Sequence, residues 1–164
     1  CDMIVLGTII RETIGAIGTA RKLGYNPTFL GSSAAYTDLI HKLGGPAMNG
    51  LYATSTVQNP YLDDASPAIS FWAKKYKTKF NEDPTVFSVY GYNIVDTFAV
   101  AAGKAGANLS TESFIKAMDT MKIPPDIFGS AEATFSPTKR LGSDASRLSQ
   151  ITDGKWKPVS EYFK

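Results

Sequence analysis

Short apolar runs alternate with helical patterns over the first fifty-odd residues, and this constrains the fold more than any other feature. Met3-Ile4-Val5-Leu6, running into Gly7-Thr8, reads as a buried strand entering a turn. Ile10, Ile14 and Ile17 then recur at helical spacing, and Gly24 stands where a helix C-terminus favours glycine. Pro27–Gly31 reads as a second strand. Ser32–Asp38 reads as a loop with several candidate N-caps, and Leu39–Leu43 as a short helix ahead of Gly44-Gly45-Pro46. Gly50–Thr54 is a third strand. Strand, helix, strand, helix, strand predicts an α/β fold with a parallel sheet and crossover helices.

Beyond residue 54 the character changes. "STVQNPYLDDAS", residues 55–66, has a proline, adjacent acids at Asp63 and Asp64, and no periodicity, so it reads as a solvated connector. A helix is expected from about 67 to 80, with Pro67 in its first turn and Ile69, Trp72, Tyr76 and Phe80 on one face. A second runs over roughly 89–103, with Val95, Phe98, Ala99 and Ala102 as its buried stripe. A third begins at Ser110, where Leu109 and Phe114 suit a hydrophobic staple. Ala131–Phe135 reads as a short strand, and Asp153-Gly154 between Arg147–Thr152 and Lys155–Val159 is a hairpin signal. The expected division is 1–57, a connector at 58–66, a mostly helical portion at 67–142, and closing strands at 143–164 that return to the first portion. Neither main portion alone has enough strands for a full sheet.

Composition narrows the function. The formal charge is +2 with no basic stripe, which argues against nucleic acid as a partner. One Cys and one His exclude a disulfide framework and argue against a protein-only zinc site. No cofactor motif is present: there is no G-x-G-x-x-G after a strand, no P-loop and no G-x-S-x-G elbow. His41 has no cysteine or carboxylate partner at a matching helical spacing, and reads as a surface or half-buried histidine. No enzyme activity is expected. Cys1 reads as a small buried residue leading into the first strand.

Two loops carry the binding argument. Gly7-Thr8 follows the first strand and Gly31-Ser32-Ser33 the second. In an open parallel sheet, ligands sit outside the carboxyl ends of strands. Both loops lead into helix N-termini, whose free N–H groups favour anions. Plain N-capping accounts for one hydroxyl per helix.

The pieces, in order, resemble the C-terminal half of a type I periplasmic solute-binding protein of the leucine/isoleucine/valine-binding family of ABC transporters. "CDMIVLGT…IGTARKLGYNPTFLGSS" resembles the family's strand–helix–strand run in its second lobe, and "GGPAMNGLYATSTVQNP" the strand that leaves it. "FWAKKYKTKFNEDPTVFSVYGYNIVDTFAVAAGKAG" resembles the helix pair returning to the first lobe, and "FGSAEATFSPTKRLGSDASRLSQITDGKWKPV" the closing strands. The resemblance implies hinged lobes closing on a small carboxylate-containing solute, a membrane permease as partner, and a periplasmic or extracytoplasmic location. A sensor domain of the same fold is the alternative. By position, Thr8 and Ile9 resemble the family's first contact loop, Ser32 and Ser33 the second, and Phe87 an aromatic near the ligand. Amino-acid binders of the family usually carry an acid at the position of Ser33. Serine there suits a ligand without an amine, such as an aromatic or aliphatic acid, and both ligand types stay open. The resemblance further implies a piece of a chain about twice as long, with uncovered faces such as Ile69/Trp72/Tyr76 that drive self-association.

Overall fold

The computed structural model describes residues 1–164. In chain order, β1 (Met3–Leu6), α1 (Ile10–Lys22), β2 (Thr28–Gly31), α2 (Asp38–Gly44) and β3 (Tyr52–Ser55) come first. Then follow α3 (Pro67–Phe80), α4 (Val86–Ala105), α5 (Thr111–Met118), β4 (Lys122–Ile123) and β5 (Ala133–Thr134), and last the hairpin β6 (Arg147–Thr152) and β7 (Lys155–Pro158). β1, β2 and β3 are parallel, and β6 pairs antiparallel with β3. The resulting sheet has five strands in the order β1-β2-β3-β6-β7, a usual size for one sheet. Three strands from residues 1–57 become five because the far end of the chain supplies the hairpin. Its turn is the two-residue type that matches strand twist, with Asp153 and Gly154 at φ of 53° and 71°.

Ile17 of α1 and Ile40 of α2 pack with Phe29, Leu51, Ala53 and Ile151 of the sheet and its approaches, all buried. β6 shows the period of two: Arg147, Ser149 and Ile151 are buried and the residues between them are half-exposed. Ile69, Val86, Val89 and Phe128 extend the same core toward α3 and α4.

Several sequence expectations are corrected. β1 is an edge strand rather than a buried one: Val5 is 70% exposed because nothing covers its outer face. Cys1 is exposed for the same reason, with its thiol donating to the Met3 carbonyl. α4 starts at Val86, where Thr85 and Ser88 form a capping box, and it buries Val86, Val89 and Ala101. Val95 and Phe98, expected inside, are 66% and 54% exposed: Phe114 of α5 meets the Phe98 ring with centroids 5.2 Å apart but leaves most of that ring and Val95 open. On α3 the Ile69/Trp72/Tyr76 face, expected to be uncovered, is largely closed: Ile69 lies in the core and Trp72 and Tyr76 are half-buried, while Phe80 at the helix end is exposed.

The connector, expected to be solvated, is instead held against the core, with Val57, Asn59 and Pro60 buried, because side chains of the sheet and of the connector pin it down. Tyr61 Oη accepts the Trp156 backbone N–H at 2.8 Å, and Asp63 pairs with Lys155. Asp64 accepts from the Ser66 amide, and Ser66 in turn caps α3. At the opposite end of the chain, the Tyr162 hydroxyl lies 2.7 Å from the Thr56 carbonyl and 2.6 Å from that of Gly129. One proton is shared between two carbonyls, so a single hydroxyl ties the exit from β3 to the 126–130 loop. The Tyr162 ring covers the buried Arg147 guanidinium at 5.1 Å.

Candidate functional site

The parallel register places Leu6 opposite Gly31, so β1 and β2 end level with each other. The Ser32 amide donates to the Leu6 carbonyl at 3.2 Å, which holds the loop after β2 against the loop after β1. Gly31 makes the second loop possible. A Cβ there would sit 2.8 Å from the Ala35 Cβ, so only glycine lets the 33–35 turn fold back on the strand end.

Thr8, Ile9, Ser32 and Ser33 therefore share one edge of the sheet. Their hydroxyls are not equivalent. Thr8 Oγ1 lies 2.7 Å from Oγ1 of the buried Thr13. Ser32 accepts a long bond, 3.4 Å, from the Ala34 amide and caps its turn. Ser33 is exposed, and its hydroxyl makes no bond within the chain. Ile9 is the N-cap of α1 and has no side chain that can cap it. The first-turn N–H groups of α1 lack intrahelical partners and keep a partial positive charge, moderated by Glu12 in the same turn. This edge can accept an anion through backbone N–H groups and one free hydroxyl.

Phe87 sits in the first turn of α4, 60% exposed, with its ring 6.0 Å from that of Tyr90. Its aromatic neighbour is Tyr90, not one of the other four residues. Its placement comes through Tyr90, which packs on the core and whose hydroxyl faces Thr56 just beyond β3. Burial raises the Tyr90 pKa, so it stays a neutral phenol. β3 lies beside β2, so the α4 N-terminus stands at the same end of the sheet. Thr13 and Thr56 have no part in the sequence-based expectation of this site. Thr13 had a legible signal: a threonine on the apolar face of α1, which must find a hydroxyl or carbonyl partner once buried.

No group of three His, Cys, Asp or Glu side chains is close enough to hold a metal ion, and no helix is long and apolar enough to cross a membrane. His41 belongs to the connector lock, not to this edge. Its Nε2 lies 2.9 Å from Tyr61 Oη, which also accepts from the Trp156 amide. Burial lowers the His41 pKa below its usual 6.5, against a smaller raising effect of Asp38 and helped by Lys42 and Lys155. A group that is harder to charge when folded binds fewer protons in the native state. Its contribution to stability is therefore complete above pH 6.5 and lost as pH falls from there toward the depressed native value. Denaturant midpoints measured from pH 8 to pH 5 should drop below about pH 6.5. His41→Gln should flatten that part of the profile, because His41 is the only histidine.

Comparison with known proteins adds the family context. A family profile described as "Periplasmic binding protein" matches residues 1–155. No curated protein matches the sequence. Among solved structures, a branched-chain amino acid ABC transporter protein from Thermus thermophilus with bound valine superposes with a TM-score of 0.81 at 18% identity, covering 99% of this chain and 46% of that one. A fatty acid ABC transporter substrate-binding protein from Thermomonospora curvata gives 0.79 at 22% identity, covering 98% and 43%. A leucine binding protein from Thermotoga maritima gives 0.74 at 18%, covering 97% and 44%. The chain thus spans under half the length of these structures, and at such identities the likeness is one of fold: α/β, with the parallel sheet of a type I periplasmic binding protein.

Proposed function

Because this chain belongs to the periplasmic binding protein family, we propose that the edge formed by Thr8, Ile9, Ser32 and Ser33 is one wall of a solute-binding crevice, with Phe87 beside it. The observation that carries this reading is the pairing of a side-chain-uncapped α1 N-terminus with the free Ser33 hydroxyl, brought together by the Ser32–Leu6 bond. The solute is a small carboxylate. Backbone N–H groups and the free Ser33 hydroxyl hold the anion, and the exposed ring of Phe87 offers a flat apolar surface to a ring or branched chain. No side chain at this edge offers a charge to an ammonium group apart from Glu12, so an aromatic or aliphatic acid suits it better than an amino acid. In this reading the protein works outside the cytoplasm, closes on its solute by hinge motion between residues 1–57 with 143–164 and residues 67–142, and delivers it to an ABC transporter permease without making or breaking bonds.

Calorimetric titration with benzoate tests the role of Ser33. Ser33→Ala should weaken binding about tenfold and Ser33→Thr should restore most of it, as the loss of one hydrogen bond to a charged group requires. Unchanged benzoate affinity in Ser33→Ala would remove this residue from the site. The exposed face of α4, with Ile94, Val95 and Phe98, supports a second expectation, that copies of the chain associate in solution. Light scattering at micromolar concentration should show species larger than the monomer, and a stable monomer would contradict it.

A further inference from the structure

The richest aromatic surface of the chain is not at the sheet edge. On α3, Trp72, Tyr76 and Phe80 follow at intervals of four, and Lys75 and Lys79 flank them on the same side. Ser88 and Tyr92 of α4 face them, and the groove between the two helices encloses about 370 Å³, within the usual range for small-molecule pockets. Trp72 forms its floor: it stacks on Tyr76 with centroids 5.5 Å apart and meets Tyr92 edge-on at 5.6 Å.

The charge around the groove is one-sided. α3 carries Lys74, Lys75, Lys77 and Lys79 and no acid. Lys77 pairs with Asp83, but no carboxylate pairs with Lys75 or Lys79. Lys79 Nζ lies 5.5 Å from the Phe80 ring centroid. The one acid bonded to the groove's lining is Glu82, engaged by the Tyr76 hydroxyl at 2.9 Å. Two unpaired ammonium groups on the flank of an aromatic trough complement a molecule with an anionic head and an apolar body. We infer that the α3–α4 groove is a second binding site, for an alkyl or aryl carboxylate, separate from the sheet edge.

Nuclear magnetic resonance tests this on the chain as it is, because its two tryptophans give two indole N–H signals, and Trp156 is buried elsewhere against Tyr36. Trp72→Phe assigns them. Titration with octanoate should shift the Trp72 signal to saturation and leave that of Trp156 in place. Octylammonium and octanol should shift it far less. The double replacement Lys75→Gln, Lys79→Gln should weaken octanoate about fivefold, and Lys75→Glu with Lys79→Glu should turn the preference toward octylammonium. Ser33→Ala should change nothing here, which separates this site from the proposed crevice. Equal binding of octanol and octanoate, or indifference to the lysine changes, would overturn the inference. So would a Trp72 signal that follows protein concentration instead of octanoate, which would make the groove an interface between copies.

Discussion

Replacing Trp156 by alanine is expected to destabilise the chain by about 3–5 kcal/mol, a large part of the roughly 5–15 kcal/mol typical of a whole domain. The reason is the number of elements that meet on this residue. The ring is 4% exposed and packs against Tyr36 at 5.1 Å. Its Nε1 donates to the Thr37 carbonyl at 2.9 Å, at the N-cap of α2. Its backbone N–H donates to Tyr61 of the connector. Truncation opens a cavity and leaves the Thr37 carbonyl without its partner. Trp156→Phe keeps most of the volume and loses only the indole bond, so it should cost about 1–3 kcal/mol. Urea unfolding followed by circular dichroism separates the two. Comparable midpoints for Trp156→Ala and the parent chain would show that the hairpin does not close this core.

Gly31→Val is the second large effect, expected to cost about 2–3 kcal/mol through overpacking. The backbone at Gly31 is ordinary; the constraint is space, since Ala35 lies 2.8 Å and Ala53 3.8 Å from where a Cβ would stand. The side chain can enter only if the 33–35 turn lifts off the end of β2, which also carries Ser32 and Ser33 away from Thr8. The milder Gly31→Ala should be rescued in part by Ala35→Gly, because the two positions compete for one volume, and a double-mutant cycle measures that coupling. Additive losses would mean that the contact does not set the loop.

Several elements were legible in the sequence because their signals are local. The isoleucines of α1, Gly24 with its φ of 79°, the Asp153-Gly154 turn and the Ser110 cap each act within a few residues. Exposure was not local. Whether Val5 on β1 or Val95 and Phe98 on α4 are covered depends on which elements pack beside them, and an apolar face looks the same in sequence whether or not a partner sits on it. The candidate site divides in the same way. Loops following parallel strands could be placed on one edge from sequence alone, whereas the engaged state of Thr8 and the free state of Ser33 arise from Thr13 and from the turn at 33–35. Asp63 and Tyr61 gave no sequence signal of their ties to Lys155 and Trp156, which lie more than ninety positions away.

In the proposed function, the edge joining the α1 N-terminus to Ser33 receives a carboxylate without an amine. Backbone amide spectra of this chain, titrated in parallel with benzoate and leucine, test it most directly. Benzoate should move the amides of residues 8–12 and 32–33 along saturating curves, with leucine moving them clearly less. Leucine shifting those amides as strongly as benzoate, or both ligands leaving them in place, would contradict it.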